Sequence, residues 1–434
     1  MPKLRIPRYP MPLLLRRAAL AYLIVWQLSP PMAYGTGWRA LAVLAMLLWL
    51  ALDTLAPRSV LRRPNWPVFA CIVFTLYSAL IEWLVPDAGA LNRHFAVWIT
   101  FFFLLVGESQ QRGHGDEARF CFWTILLVMP IWQFATLVGI ETVAADVART
   151  VVRSSREARE LADQGIGGYG LVYGTIVCLP FLAQLALRVR HLPGGARFRW
   201  MQRALIWGNF LLSALLVLRA GYSIAVILAV LSVLCVLLIR SRRPLVLAMS
   251  VCLVGLLVLL TNIVADSALR SLEGAVAGTE YSAKLRDIQT TLAKGQSTGT
   301  VEGRTERYVR SLRLFVENPI AGTLTFDDVG KHSAILDRFA QYGFVFGLLF
   351  LAILSFMPLR YFGTPQLPIG LAVAFLFVAV GFPLLNNLFM SWGLILYVFS
   401  RGAFVVMGVP LEKGRTPQSP RQDQFAHAAT GSPG

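Results

Sequence analysis

The stretch FLLSALLVLRAGYSIAVILAVLSVLCVLLI, Phe210 to Ile239, decides the fold class. Its two apolar arms meet at Arg219-Ala220-Gly221-Tyr222-Ser223, and Arg219 is the one charge it contains. Each arm belongs to an apolar run long enough to cross a hydrocarbon core of ~30 Å as a helix, so the stretch reads as two membrane spans joined by a tight hairpin. A hairpin this short holds Arg219 close to the membrane. Its guanidinium then either snorkels to lipid headgroups or serves as the cation of a phosphate site at the membrane surface.

Outward from this hairpin the pattern repeats, with apolar runs centred near residues 25, 47, 75, 100, 129, 178, 209, 231, 254, 348, 375 and 397. With 56% hydrophobic residues, 15% charged residues and a mean hydropathy of +0.62, the chain is too apolar for a soluble fold of 434 residues. The predicted fold is all-α, a polytopic integral membrane protein of about twelve transmembrane helices. Residues 1–264 hold nine spans and a smaller outer loop at about 141–168, residues 265–336 form a large outer loop, and residues 337–410 hold three more spans. Residues 411–434 read as a disordered cytoplasmic tail, too polar and too rich in Pro, Ser, Gln and Gly to bury a core.

The first run follows Lys3, Arg5, Arg8, Arg16 and Arg17 and is closed by Pro30 and Pro31 without a small-residue cleavage site, which predicts a retained first helix with a cytoplasmic start. An even number of spans returns the C-terminus to that side. The net charge of +17 falls there too, carried by Arg58, Arg62 and Arg63, by Arg188 to Arg203, and by Arg240, Arg242 and Arg243. These connections are short, where the positive-inside rule applies. The basicity is therefore an orientation signal, and with no basic stripe interleaved with aromatics and no recognisable binding motif, nucleic acid is not expected as a partner. Cys71, Cys121, Cys178, Cys235 and Cys252 are scattered through predicted spans, without the spacing of a disulfide or metal framework.

Two outer loops stand apart. In the smaller, Val143, Val147, Thr150 and Val151 recur at helical spacing and predict an amphipathic helix at the interface, ahead of the turn-rich Gln164 to Tyr169. It is either a connector resting on headgroups or a lid. The larger loop is expected to carry the chemistry, because a mostly apolar chain keeps a long charged loop more often for a task than for stability. Within it a helix is predicted from about Arg304 to Glu317, with Tyr308, Leu312, Phe315 and Val316 as its apolar stripe and Arg304, Arg307, Arg310 and Arg313 sweeping round the other side. Arg304 lies in the first turn beside free backbone N–H groups that suit an anion, and Asn318-Pro319 ends the helix. His332 follows in Lys331-His332-Ser333, just before the next span, where it is either an ordinary polar residue or a general base at the mouth of the bundle.

Several segments together resemble the O-antigen ligase and polymerase family. They are Gly303-Arg304 opening a helix, Phe315-Val316-Glu317-Asn318-Pro319-Ile320-Ala321-Gly322, Lys331-His332-Ser333-Ala334-Ile335-Leu336-Asp337, and Gln341-Tyr342-Gly343 leading into a span. Leu218-Arg219-Ala220-Gly221 is similar to the family's serine-arginine-glycine segment, with Leu218 in place of the serine and Ala220 inserted before the glycine. The resemblance extends over about 130 residues, from Leu212 to Gly343.

The resemblance implies a bacterial inner-membrane glycosyltransferase, with both termini cytoplasmic and the active site periplasmic. It would take a glycan from undecaprenyl pyrophosphate and pass it to lipid A-core as a ligase, or to another carrier-linked repeat unit as a polymerase. Arg219 and Arg304 would bind the pyrophosphate, His332 would activate the acceptor hydroxyl, and Arg307, Arg310 and Lys331 would be donors of second rank. One base acting on one displacement implies inversion at the anomeric carbon. No cofactor or metal is expected, since Asp327 and Asp328 alone do not make a cation site. A polytopic lipid or solute transporter is the rival reading.

Overall fold

A computed structural model of the chain describes residues 11–85, 90–144, 147–151, 156–188, 196–220, 222–243, 300–325 and 329–409. The apolar run near residue 254, the tail at 411–434, and Asp327 and Asp328 lie outside the described residues. Every regular element described is a helix. They are α1 (Met11–Leu28), α2 (Pro30–Ala33), α3 (Thr36–Leu55), α4 (Trp66–Leu84), α5 (Ala90–Gln111), α6 (Gly115–Thr142), α7 (Val147–Thr150) and α8 (Arg156–Asp163). There follow α9 (Tyr169–Arg188), α10 (Ala196–Arg219), α11 (Ser223–Leu238), α12 (Thr300–Glu317), α13 (Ala334–Phe362), α14 (Ile369–Leu376), α15 (Phe382–Leu385) and α16 (Ser400–Val406). Wide π-helical turns at Phe377–Gly381 and Leu394–Phe399 lead into α15 and α16.

Among the described residues seven helices, α1, α3, α4, α6, α9, α10 and α13, are long and apolar enough to cross a membrane. Shorter apolar helices cover Ala225–Leu238, Ile369–Leu385 and Leu394–Val406. The helices differ in what they face. Every residue of α9 from Leu171 to Ala186 is buried, as an all-round apolar helix at the centre of a bundle requires. It packs on α10 and α11 and against the two C-terminal spans. By contrast α3 buries only Ala42, Trp49 and Asp53 and turns Leu41, Leu44, Leu47 and Leu48 outward, the pattern of a lipid-facing helix.

The two ends of the bundle are built from different chemistry. At one end Arg16 is buried, and its Nε lies 3.1 Å from Glu117 Oε2, its Nη1 3.3 Å from Asp53 Oδ1 and its Nη2 3.0 Å from Ser109 Oγ. Asp53 Oδ2 accepts from Ser59 Oγ and from Val60 N, each at 3.0 Å, so the carboxylate has partners on both oxygens. Burial, with Arg16 beside it, holds the His114 imidazole below its usual range. Basic residues at this end also terminate backbone, among them Arg242, which was assigned above to orientation. Arg242 donates to the carbonyls of Phe362, Thr364 and Leu367 at 2.6 Å each, and Arg112 donates to those of Ser59 and Arg63.

The opposite end, which carries His332, is held by tyrosine hydroxyls. Tyr34 donates to Val151 O, Tyr222 to Ala148 O, Tyr169 to Asn387 O and Tyr308 to Leu385 O. This bracing corrects the expectation of one interfacial helix in the smaller loop. The segment breaks into α7 and α8, with Val147 and Val151 buried and Val143 exposed. The carbonyls of Ala148 and Val151 are taken by Tyr222 and Tyr34, which draws α7 onto the protein.

A strap after α12 fixes a kink in α13. Gly343, at φ 71° and ψ −171°, breaks the helical path, and Phe344 N donates to Pro319 O at 2.7 Å. Thr323 N and Leu324 N donate to Ala340 O and Gln341 O, both at 2.9 Å. Gly322 and Gly343 both have positive φ, and a Cβ on either would run into the other segment's backbone, at Gln341 O and Ile320 O respectively. Gly343→Ala should therefore destabilise the protein by more than about 1 kcal/mol, whereas Gly208→Ala, in an open helical position with nothing within 4 Å, should be neutral or stabilising. Unfolding midpoints in detergent check both. At the other end Asp53→Asn should cost about 1–3 kcal/mol, by taking the charge from a carboxylate that accepts from Arg16, Ser109, Ser59 and Val60 while Glu117 still pairs with Arg16, and an unchanged midpoint would contradict the assignment.

Candidate functional site

The site is assembled where α12 meets the turn before α13. The observed α12 ends at Glu317, where Asn318-Pro319 predicted its stop. Its buried face differs from the predicted stripe. Ser311 is fully buried, Tyr308 and Phe315 are partly buried, and Leu312 and Val316 are 51% and 67% exposed. The reason is a polar pin. Ser311 Oγ donates to Asp337 Oδ1 at 2.6 Å and accepts from Gly330 N at 2.9 Å, so one hydroxyl joins α12, the turn and the first turn of α13. Val309, Leu312, Val316 and Ile320 then face away from the protein as an apolar stripe of their own.

The turn itself is tightly specified. Gly330 lies so close to α12 that a Cβ there would strike the Arg307 carbonyl. Lys331 follows at φ 60°, in the left-handed region that an ordinary side chain enters at a cost of roughly 1–3 kcal/mol. Asn387 Nδ2 donates to Lys331 O, and Ala334 N donates to Asn386 O at 3.1 Å, so the segment before the last span holds the turn from the other side. Ser333 caps α13 by accepting from Leu336 N at 3.1 Å. These constraints set the position of His332.

His332 is half-buried, and its Nε2 lies 2.6 Å from Nη1 of Arg307. A guanidinium only donates, so in this contact Nε2 is the acceptor and carries no proton. An unprotonated imidazole nitrogen is what a general base needs, and here it is covered by a cation that binds phosphate oxygens well. Arg307, given second rank in the sequence, is thus the closest cation to His332 among the described contacts.

The other predicted residues are placed as follows. Arg219 ends α10 and pairs with Glu141 at 3.2 Å, both side chains more than half exposed. No described contact joins it to His332. The linkage visible between them runs through Tyr222, edge-on to Tyr169, and through the Tyr169 hydroxyl to Asn387. Arg304 lies in the first turns of α12, and the position of its side chain is outside the description. Arg310 is exposed on α12, and Lys331 contributes its carbonyl to Asn387. Of the predicted set, the structure brings His332, Arg307 and Lys331 together.

Sequence reasoning passed over Ser311, Asp337 and Asn387, which hold the turn, and a second cluster beneath it. There His94, fully buried, lies 3.3 Å from Glu82 through Nε2 and 3.1 Å from the Tyr342 hydroxyl through Nδ1. Tyr342 belongs to the kinked Gln341-Tyr342-Gly343 segment, so this cluster ties the kink to α4 and α5. The available signal was the pairing of a small polar residue, Ser311, on a helix flanked by arginines with an aspartate, Asp337, at the start of a span. Among the described residues no group of His, Cys, Asp and Glu converges as a metal site would. Compared with protein-family models, with curated proteins and with solved structures, the chain matches none.

Proposed function

We propose that the chain is a membrane glycosyltransferase that moves a glycan from undecaprenyl pyrophosphate to lipid A-core at the periplasmic face of the bacterial inner membrane, the O-antigen ligase reaction. The observation that carries this reading is the contact of Arg307 with His332 Nε2 on a turn fixed by Gly330, Ser311 and Asn387. In this reading the seven long helices, α5, the three shorter apolar helices and the run near residue 254 are the twelve spans, and the His332 end is periplasmic.

The roles follow from the chemistry. The acceptor hydroxyl oxygen attacks the anomeric carbon while the bond from that carbon to the pyrophosphate oxygen breaks. His332 Nε2 takes the hydroxyl proton, and undecaprenyl pyrophosphate leaves with the bonding pair. The leaving group carries the growing negative charge, which arginines stabilise best when they are already in place. Arg307 moves from Nε2 to the pyrophosphate when the donor arrives, and this uncovers the base only in the loaded enzyme. Arg219 can join it, because its exposed pair with Glu141 is worth only roughly 0–1 kcal/mol and exchanges readily for an anion. Arg304 joins from the second turn of α12, which starts at Thr300 and so moves Arg304 away from the first-turn N–H groups that the sequence placed beside it. A single displacement inverts the anomeric centre. A repeat-unit polymerase would use the same donor residues and differ in its acceptor.

The test is transfer by the purified chain, with undecaprenyl-pyrophosphate glycan as donor and lipid A-core as acceptor. His332→Ala should lower turnover by about 10²–10⁴-fold, the usual contribution of general acid–base catalysis. Arg307→Ala should lower it by about 10²-fold or more, with Arg307→Lys failing to restore it because a point charge cannot replace the planar fork. Lipid A-core that gains no glycan while carrier-linked chains lengthen would make the protein a polymerase, and no transfer with either acceptor would favour transport. The product's anomeric configuration is expected to be the reverse of the donor's; retention would rule out the single displacement.

A further inference from the structure

The helix α12 presents three faces. Tyr308, Ser311, Leu314 and Phe315 turn toward the protein, while Glu306, Arg310, Arg313 and Glu317 are exposed charges on another side. Between these two faces run Val309, Leu312 and Val316, which are 56%, 51% and 67% exposed. They fall within about 60° of one another on a helix of about 3.6 residues per turn. A helix that rests on a protein in water needs only two faces, one apolar and one polar. The third face, apolar and turned outward, calls for a partner.

Where the stripe leads identifies that partner. Beyond Pro319 the exposed Ile320 lies against the kink of α13, since a Cβ on Gly343 would strike the Ile320 carbonyl and Phe344 N donates to Pro319 O at 2.7 Å. Phe344, Val345 and Leu348 then continue as exposed apolar residues along α13, a helix long and apolar enough to cross a membrane. Hydrocarbon that covers this side of α13 therefore reaches α12. The charges fit the same partner. Arg313 borders the stripe on the side away from the protein, in an exposed pair with Glu317 at 2.7 Å, and Arg310 lies about one turn before it. Arginines beside an apolar stripe are what an interfacial helix offers to phospholipid, their stems covering apolar surface and their guanidinium groups reaching phosphates.

We propose that α12 is an interfacial helix, with Val309, Leu312 and Val316 sunk among the acyl chains of the leaflet at the His332 end and with Arg310 and Arg313 at the level of the lipid phosphates. The proposal needs α13 to span a membrane and does not need the transferase reading. Joined to that reading, it sets the height of the site. Arg307, on the far side of α12 from the stripe, is held about one helix diameter from the acyl chains, in the zone where a lipid-linked pyrophosphate carries its charge.

The experiment places one nitroxide at a time on the full chain, in nanodiscs of phosphatidylethanolamine and phosphatidylglycerol loaded with a single chain each. Leu312→Cys and Val316→Cys test the stripe, Leu348→Cys on α13 marks lipid and Glu306→Cys marks water. All four side chains are exposed, so the label displaces no packing. Cys71, Cys121, Cys178 and Cys235 are buried, and the wild-type chain carried through the same labelling is the blank. Power-saturation EPR reads collisions with oxygen, which concentrates in hydrocarbon, and with a water-soluble nickel chelate. Labels at Leu312 and Val316 should collide with oxygen as the Leu348 label does and lose the chelate collisions that the Glu306 label shows. Labels as open to the chelate as Glu306 would place the stripe in water. Labels shielded from both reagents would give it to residues 244–299 of this chain, and shielding that appears only with two chains in a disc would give it to a second copy. Each of these three results would overturn the proposal. Absence of glycan transfer by the same discs would remove the transferase reading and leave the position of α12 as the labels report it.

Discussion

The hydroxyl of Ser311 is the joint on which the His332 end depends. It donates a hydrogen bond to Asp337 and accepts one from the N–H of Gly330, and in doing so fixes an amphipathic helix, a strained turn and the head of a membrane-spanning helix to one another. A buried hydrogen bond to a carboxylate is worth about 1.5–3 kcal/mol, more than a neutral one. That is enough to hold Lys331 in the left-handed conformation that aims His332. The same joint brings the carbonyl of Arg307 against Gly330, and so places the arginine side chain beside the imidazole. Without it, the apolar residues described as seating α12 are Tyr308, Leu314 and Phe315, while Val309, Leu312 and Val316 point away from the protein.

Below this joint the strap from Pro319 to Leu324 does a second job. By bonding to the carbonyls exposed at the Gly343 kink it satisfies backbone groups that a broken helix would otherwise leave bare within an apolar bundle. The Asn318-Pro319-Ile320-Ala321-Gly322 motif is therefore structural in its detail: Pro319 stops α12 and offers its carbonyl, and Gly322 lets two backbones touch. His94 and Glu82 hold Tyr342 in the same kink from the other side. The chemistry proposed at His332 thus stands on a scaffold whose parts lie within one short stretch of sequence, closed by contacts from α4, α5 and the segment before the last span.

Much of this was legible in the sequence. Apolar runs alone set the helical, membrane-type fold, because a span must be long and uncharged whatever it packs against, and Pro319 marked the end of α12 because proline has no N–H to continue it. The stripe on α12 was misread for a physical reason. Beside a membrane an apolar residue need not face the protein, since lipid is as apolar as the core, so Leu312 and Val316 could point away while Ser311 was buried. The smaller loop was misjudged because its backbone carbonyls are taken by Tyr34 and Tyr222, partners far away in sequence. Arg219 was read as a cation held near the membrane surface, and its pairing with Glu141 could not be seen from a hairpin read by itself. Arg307 was underrated because four arginines at equal spacing look alike until the position of Gly330 decides which one meets His332.

In the proposed reaction Arg307 exchanges the imidazole of His332 for the pyrophosphate of a lipid donor. The most direct measurement is the nitrogen-15 NMR shift of the His332 ring in histidine-labelled protein, assigned by its loss in His332→Gln, during titration with undecaprenyl pyrophosphate. The Nε2 resonance is expected to move as Arg307 withdraws, undecaprenol without the pyrophosphate to leave it in place, and Arg307→Ala to abolish the response. A His332 resonance that stays unchanged at saturating undecaprenyl pyrophosphate would contradict it.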